Sequence, residues 1–371
     1  MRIWIRLSNC SIVPQERNDL TRIRTFAAAL DGRIDGSRCD WEQIIGQANR
    51  TLTTAALAAR WAQRPELPQD AREFLAAVLD ANMERNRRLL LLLEEVLDVL
   101  NDIGVTPILL KGAASLATVG TSAMQGRILG DLDLMLPVSA MQEAYSRLDR
   151  IGFVVHDAAG TPDAPIVLFR TSDVGMLDLH CRMKGSNPRF DYTLLSAHCR
   201  PAAIGDGQAL LPSAAAQAGV LISHDQLQEL DYWRGLIDMR HLVDLADLSR
   251  CDGGIDWQVL DGLFAAPQSR RALRAQLLTL RALFGVAVPQ EYCNGLWARI
   301  QHRRQLFQAE WPVLRWPFTF LALMLQLPRS VREDPDPLPH GLVGDSLPAQ
   351  LYRAKAIARR AVRSPGPGKY T

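Results

Sequence analysis

Apolar residues recur every three or four positions from about residue 20 to 103, the period of amphipathic helices. The clearest stretch is RNRRLLLLLEEVLDVLNDIG, where Leu89, Leu92, Leu93, Val96, Leu100 and Ile103 fall on one stripe. Gly104 stands where a left-handed residue closes a helix. At residue 105 the pattern changes to short apolar runs closed by glycine, proline or polar residues. VTPILLKG, DLDLMLP, FVVHDA, PIVLFRTS and GMLDLHCRM are each a strand candidate. AASLATVGTSAMQGR, between the first two, suits a helix in its first half. SAMQEAYSRLDRIG, between the second and third, reads as a helix capped by Ser139 and followed by Gly152. The order strand, helix, strand, helix and three strands predicts a compact unit of about 80 residues.

Helical periodicity returns after residue 212, most strongly in AAAQAGVLISHDQLQELDYWRGLIDMRHLVDLADLS and SRRALRAQLLTLRALFG. The fold class expected is α+β, a small mixed-sheet core flanked by helical regions. Its divisions are an N-terminal helical region at 1–103, the core at 104–212, a C-terminal helical region at 213–328 and a Pro/Gly-rich basic tail at 329–371. That tail is expected to extend from the core or to move freely. In the helix read over 227–247, Leu230, Trp233 and Ile237 precede Asp238, His241 and Asp244 on nearly one face. Arg234–Asp238 and Arg240–Asp244 read there as ordinary i,i+4 pairs, with a polar end to an active-site wall as the alternative.

Composition narrows the class. A chain of 371 residues with 48% hydrophobic and 22% charged residues can bury a sizeable core, and a net charge of +2 gives no global attraction to nucleic acid or to an anionic membrane. The six cysteines are scattered without a CxxC or zinc-like spacing, which fits a reducing cytoplasm. MRIWIRLSNCSIVPQERNDL lacks the continuous apolar core of a signal peptide. LLLLLEEVLDVL is broken by Glu94 and Glu95, and WPFTFLALMLQLP falls short of the roughly 20 residues a membrane span needs. A soluble, cytoplasmic protein is expected.

The chemistry concentrates in RILGDLDLMLP. Asp131 and Asp133 are two apart in an apolar run, so in a strand both carboxylates face one side and Leu132 and Leu134 the other. Two carboxylates that close repel unless a proton or cation lies between them, and Mg²⁺ with phosphate oxygens answers that need. The other such triplet, Asp334-Pro335-Asp336, lies among prolines and carries no such context. About twenty residues earlier, ILLKGAAS ends a strand in small residues, a turn on which a phosphate could rest. In GMLDLHCRM, alternation puts Asp178 and His180 on one face. Beside the DLD strand, Asp178 would complete a carboxylate triad as metal ligand and general base.

Together LLKGAAS, RILGDLD and LDLH resemble the nucleotidyltransferase superfamily, the DNA polymerase β-like fold. More closely they are similar to a poorly characterised bacterial family patterned Leu-Lys-Gly-Ala, Arg-x-x-x-Asp-[Ile/Leu]-Asp and Asp-Leu-His. The likeness spans roughly residues 40 to 300. It implies that Asp131, Asp133 and Asp178 are catalytic and hold Mg²⁺. Lys111, Gly112, Ala113, Ser115, Arg127 and His180 are the implied nucleotide-binding set, with Lys111 and Arg127 neutralising the triphosphate. Ala113 departs from the small polar residue or glycine of the wider superfamily, which removes one hydroxyl contact. The implied activity is transfer of a nucleoside monophosphate from an NTP, ATP being the expected donor, to a hydroxyl-type acceptor with release of pyrophosphate. The acceptor could be a small molecule, a peptide or a protein; neither membrane nor nucleic acid is indicated. The alternative is a catalytically inactive nucleotide-binding or scaffold protein on the same fold.

Overall fold

The computed structural model describes residues 19–117, 125–158, 165–183, 190–333, 346–361 and 368–370. Four helices come first: α1 (Asp19–Leu30), α2 (Trp41–Arg50), α3 (Thr54–Trp61) and α4 (Gln69–Asp102). The stripe read from the sequence is the buried face of α4, with Leu89, Leu92, Leu93, Val96 and Leu100 inside and Ile103 half-buried. Gly104 closes α4 at φ +72°, a conformation that a Cβ disfavours.

The core that follows is a mixed sheet of β1 (Ile108–Leu109), β2 (Asp131–Met135), β3 (Val154–Ala158), β4 (Ile166–Phe169), β5 (Met176–His180), β6 (Cys199–Ile204) and β7 (Gly207–Pro212). The strand order is β3-β4-β5-β2-β1-β7-β6. Pairs β2–β5 and β1–β7 are parallel, and the other neighbours are antiparallel. Within this stretch, among the described residues, lie the helices α5 (Lys111–Ala117), α6 (Met141–Arg150) and α7 (Tyr192–Ser196).

Alternation decides what each sheet face meets. Leu109, Leu132, Leu134, Leu168, Leu177 and Leu179 pack with Leu93, Val96 and Leu100 of α4 and with Ala144 and Leu148 of α6. Ile108, Leu110 and Met135 join the larger core built by the N-terminal helices together with those that follow the sheet. Each fully buried leucine contributes about 1.5–3 kcal/mol. The sheet is therefore apolar on both faces, and its few charged positions stand out.

The structure differs from the sequence reading in four places. Ser139 does not cap α6; it lies in a short 3₁₀ turn, Val138–Ala140, and Ala140 takes the cap position without a side-chain bond. The hairpin β6–β7 was not anticipated, although Gly205, with φ +57°, and Asp206-Gly207 mark its turn. After α7 (Tyr192–Ser196) and α8 (Ala214–Ile222) the expected long helix is broken. It becomes a π turn at Ser223–Gln228, α9 (Asp231–Arg234), β8 (Ile237–Asp238) and α10 (Met239–Arg250), with Leu230 at φ 61° and Gly235 at φ 67°. The tail also returns to the core. After α11 (Trp257–Leu263), α12 (Pro267–Phe284), α13 (Leu296–Glu310), α14 (Arg315–Glu333) and α15 (Leu347–Ala361), β9 (Lys369–Tyr370) pairs antiparallel with β8.

Among the described residues no helix is long and apolar enough to cross a membrane. The N-terminal twenty residues weighed as a leader, Asp334-Pro335-Asp336 and the second half of AASLATVGTSAMQGR lie wholly or largely outside the described residues.

Candidate active site

Strands β2 and β5 run parallel in the register Asp133↔Asp178 and Met135↔His180. Asp131, Asp133, Asp178 and His180 therefore share one face of two adjacent strands. Asp133 is buried, Asp178 half-buried, and Asp131 stands at the exposed start of β2. One ligand atom from each of Asp133, Asp178 and His180 lies within 4.8 Å of the other two.

Lys111 completes the group. The amide of Leu110 donates to the carbonyl of Asp133 at 3.0 Å, which fixes the end of β1 beside the acid pair. Lys111 itself takes φ 45°, an unusual left-handed conformation for a non-glycine residue. Its ammonium donates to Asp133 Oδ1 at 2.8 Å, and His180 Nε2 lies 3.0 Å from the same oxygen.

These neighbours split the three carboxyl groups. Burial alone would raise Asp133, but Lys111 and His180 outweigh it and hold the group well below the usual carboxylate range. Asp178 is pushed up to about 6, first by burial and then by the charges of Asp133 and Asp131. Asp131 is raised by its partly enclosed position and by Asp133. Lys111 stays charged because the acids outweigh its burial, Asp133 most strongly.

The Lys-Gly turn is tighter than its sequence suggested. A Cβ on Gly112 would collide with the terminal methyl of Leu129, which would have to shift to admit it. The amides of Ala113 and Ala114 bond back to the carbonyl of Leu110, so neither is free to face an anion. Ser115 donates its hydroxyl to the carbonyl of Lys111 at 3.2 Å. Arg127 ion-pairs with Asp244 of α10, which joins the loop before β2 to the helical region. Its charge still lowers the carboxyl of Asp131, though less than burial and Asp133 raise it.

Sequence reasoning missed the residues that hold this loop. The side-chain amides of Asn82 and Asn86 donate to the carbonyl of Arg127 at 3.0 and 2.9 Å, and Arg85 Nε donates to that of Leu129 at 2.8 Å. The available signal was two asparagines one helical turn apart on the buried face of α4. The pairing expected on the later helix is also replaced. Arg240 pairs with Asp238 at 2.9 Å and Asp244 with Arg127, while Asp238 caps α10 by accepting from the amides of Arg240 and His241.

No curated protein matches the chain. Among solved structures, the antibiotic-resistance factor ANT(2'')-Ia, known in solution, is similar to it at 15% identity, covering 50% of this chain and 95% of that one with a TM-score of 0.34. Residues 37–285, well over half of the sequence, match the family described as uncharacterised nucleotidyltransferase. That span holds the Lys-Gly turn, both acid strands and the helices after them as far as α12, and the chain belongs to this nucleotidyltransferase family.

Proposed function

We propose that the protein transfers a nucleoside monophosphate from an NTP to a hydroxyl-type acceptor and releases pyrophosphate. The observation that carries this reading is the parallel register that sets Asp133 beside Asp178, with Asp131 two residues before the first on the same face. Three carboxylates on neighbouring strands offer hard oxygen donors, and burial together with their mutual repulsion, which raise the Asp178 and Asp131 carboxyls, makes the group receptive to a cation. The donor set fits Mg²⁺, and Asp131, Asp133 and Asp178 would hold it. When bound, the ion supplies charge stabilisation at the transferred phosphorus.

The chain's own residues supply the rest. Asp178, on the half-buried side of the site, accepts the proton of the attacking hydroxyl. His180 and Lys111 orient Asp133 through the two bonds to its Oδ1. Lys111 also adds positive charge where phosphate oxygens would sit, while Arg127 acts at longer range because Asp244 holds it. The helical regions on either side of the core frame the acceptor.

The direct test is pyrophosphate release from each NTP with Mg²⁺, followed by incubation of a labelled NTP with cell extract to capture the modified acceptor. Asp133→Asn is expected to abolish metal-dependent turnover with the fold intact, and Asp178→Asn to lower kcat by about 10²–10⁴. Wild-type rates in purified Asp133→Asn protein would remove the assignment. Metal-dependent NTP binding without turnover across a broad acceptor panel would favour the inactive scaffold.

A further inference from the structure

Three other carboxylates meet outside the acid site: Asp225 in the π turn, Asp231 at the start of α9 and Asp238 at the end of β8. All three side chains are fully buried. A buried trio of acids is untenable without a cation among them. Lys369 of β9 is the cation all three share, and Arg240 adds a second charge at Asp238. The Lys369 Nζ lies 2.6 Å from Asp231 Oδ2, 3.0 Å from Asp238 Oδ2 and 3.6 Å from Asp225 Oδ1, and its side chain is 3% exposed.

The entry of this lysine is built into the backbone. β9 pairs Lys369 with Asp238 and Tyr370 with Ile237. Gly368, at φ +93°, passes under the Arg240 guanidinium, where a Cβ would collide. The ring of Tyr370 lies 6.0 Å from that of Phe26 in α1.

Two histidines extend this cluster. His241 Nδ1 lies 2.6 Å from Asp225 Oδ1, and His224 Nδ1 lies 3.3 Å from the same oxygen. His224 lies two residues beyond the end of α8, and α8 packs on α5, the helix that Lys111 begins. Burial and, next, the Lys111 ammonium press the His224 imidazole down to about 4. The spacing of His224, Asp225 and His241 would also admit a metal ion. Both rings, however, converge on one oxygen, and Lys369 already supplies the positive charge, so the group reads as a hydrogen-bonded relay.

We infer that Lys369 is a positioning residue for the nucleotidyl-transfer site: by gathering Asp225, Asp231 and Asp238 on one ammonium, it fixes His241 and, through the shared Asp225 oxygen, His224, which follows the helix packed on the Lys111 side. This rests on the activity proposed above, and it makes β9 part of the catalytic assembly. The simpler role, charge balance alone, predicts different behaviour.

Three full-length proteins separate the two: wild type, Lys369→Met, and the double variant Lys369→Met/Asp231→Asn. The double variant removes one cation and one anion, so it keeps the charge balance and is expected to recover the melting temperature that the single variant loses. Imidazole ¹⁵N spectra and steady-state kinetics with Mg²⁺ and NTP are then recorded. Positioning predicts that the double variant still shows displaced His224 and His241 signals, with kcat down about tenfold and KM for NTP within about threefold. Wild-type histidine signals and wild-type kcat in the stable double variant would overturn the inference. Should Lys369→Met fail to fold, the double variant carries the comparison alone. Should wild type release no pyrophosphate with any NTP, the activity reading falls, and the histidine signals by themselves decide whether Lys369 holds the two rings.

Discussion

Replacing Lys111 with methionine tests the electrostatic heart of the acid site. The Lys111 ammonium lies 2.8 Å from Asp133 Oδ1, and the two side chains are 14% and 3% exposed. At an effective dielectric of about 20, unit charges that close attract by about 6 kcal/mol. Desolvation offsets much of that, and removing one partner of a buried pair costs about 3–5 kcal/mol. Here His180 keeps its bond to Asp133, and the abandoned carboxylate can escape part of the cost by taking a proton. The expected loss is therefore at or just below the lower end of that range, about 2–3 kcal/mol at neutral pH.

The assay is urea denaturation of wild type, Lys111→Met, Asp133→Asn and the double variant, in chelator and again in excess Mg²⁺. In chelator the double variant should recover most of the loss, giving a coupling of about 2 kcal/mol. In Mg²⁺ the Lys111→Met protein should gain more stability than wild type, because the ion then meets a carboxylate with no competing ammonium. A Lys111→Met protein within about 0.5 kcal/mol of wild type, or a cycle additive to that margin, would refute the reasoning.

Gly112→Ala should destabilise by about 1–3 kcal/mol in the same assay, because the new methyl would run into Leu129, and the penalty should shrink when measured in a Leu129→Ala background. Asp244→Asn should cost about 1.5–3 kcal/mol by leaving the half-buried Arg127 guanidinium with a neutral partner, and adding Arg127→Met should cost little more. His302, 2.9 Å from Thr279 Oγ1, has its pKa lowered to about 4, chiefly by burial and then by Arg24 and Arg303. Its unfolded form binds the proton from about pH 6.5 downward and its folded form resists until about 4. It therefore costs stability increasingly as pH falls through that window, by up to about 3 kcal/mol, and His302→Gln should flatten the corresponding limb of stability against pH.

The α4 stripe was readable because every contact that defines a helix lies within one turn, and the run from Leu89 to Ile103 repeats without interruption. The break between residues 223 and 238 was not. Leu230, Trp233 and Ile237 keep helical spacing, yet α13 pulls the chain out of a helix there. Arg304 donates to the carbonyls of Tyr232 and Trp233 at 2.6 and 2.8 Å, Gln308 donates to that of Arg234 at 3.2 Å, and Gln301 also bonds Tyr232. Carbonyls satisfied from some seventy residues away no longer need a helix, and no local pattern records that. The β6–β7 hairpin was hidden for another reason. Its CRPAAI strand is proline- and alanine-rich, with weak β propensity, and what secures it is β7 lying parallel to the two-residue β1.

At the site the division between legible and illegible follows charge. Alternation alone put Asp131 with Asp133 and Asp178 with His180, and a parallel strand pair then aligned the two sets. The acids announce themselves because carboxylates in an apolar strand must be compensated. The compensating group has no such local mark. Lys111 could be read as a phosphate ligand at the end of a strand, and only its left-handed backbone turns it onto Asp133. Arg127 finds Asp244 117 residues later, and Asp231 waits 138 residues for Lys369. A buried acid thus requires that a cation arrive without saying from where. In this chain the two answers came from the Lys-Gly turn, already singled out for its motif, and from a tail whose composition suggested no place in the core. The second answer is the more informative, because a lysine surrounded by three buried aspartates holds β9 against β8 far more firmly than a two-residue strand pairing alone would.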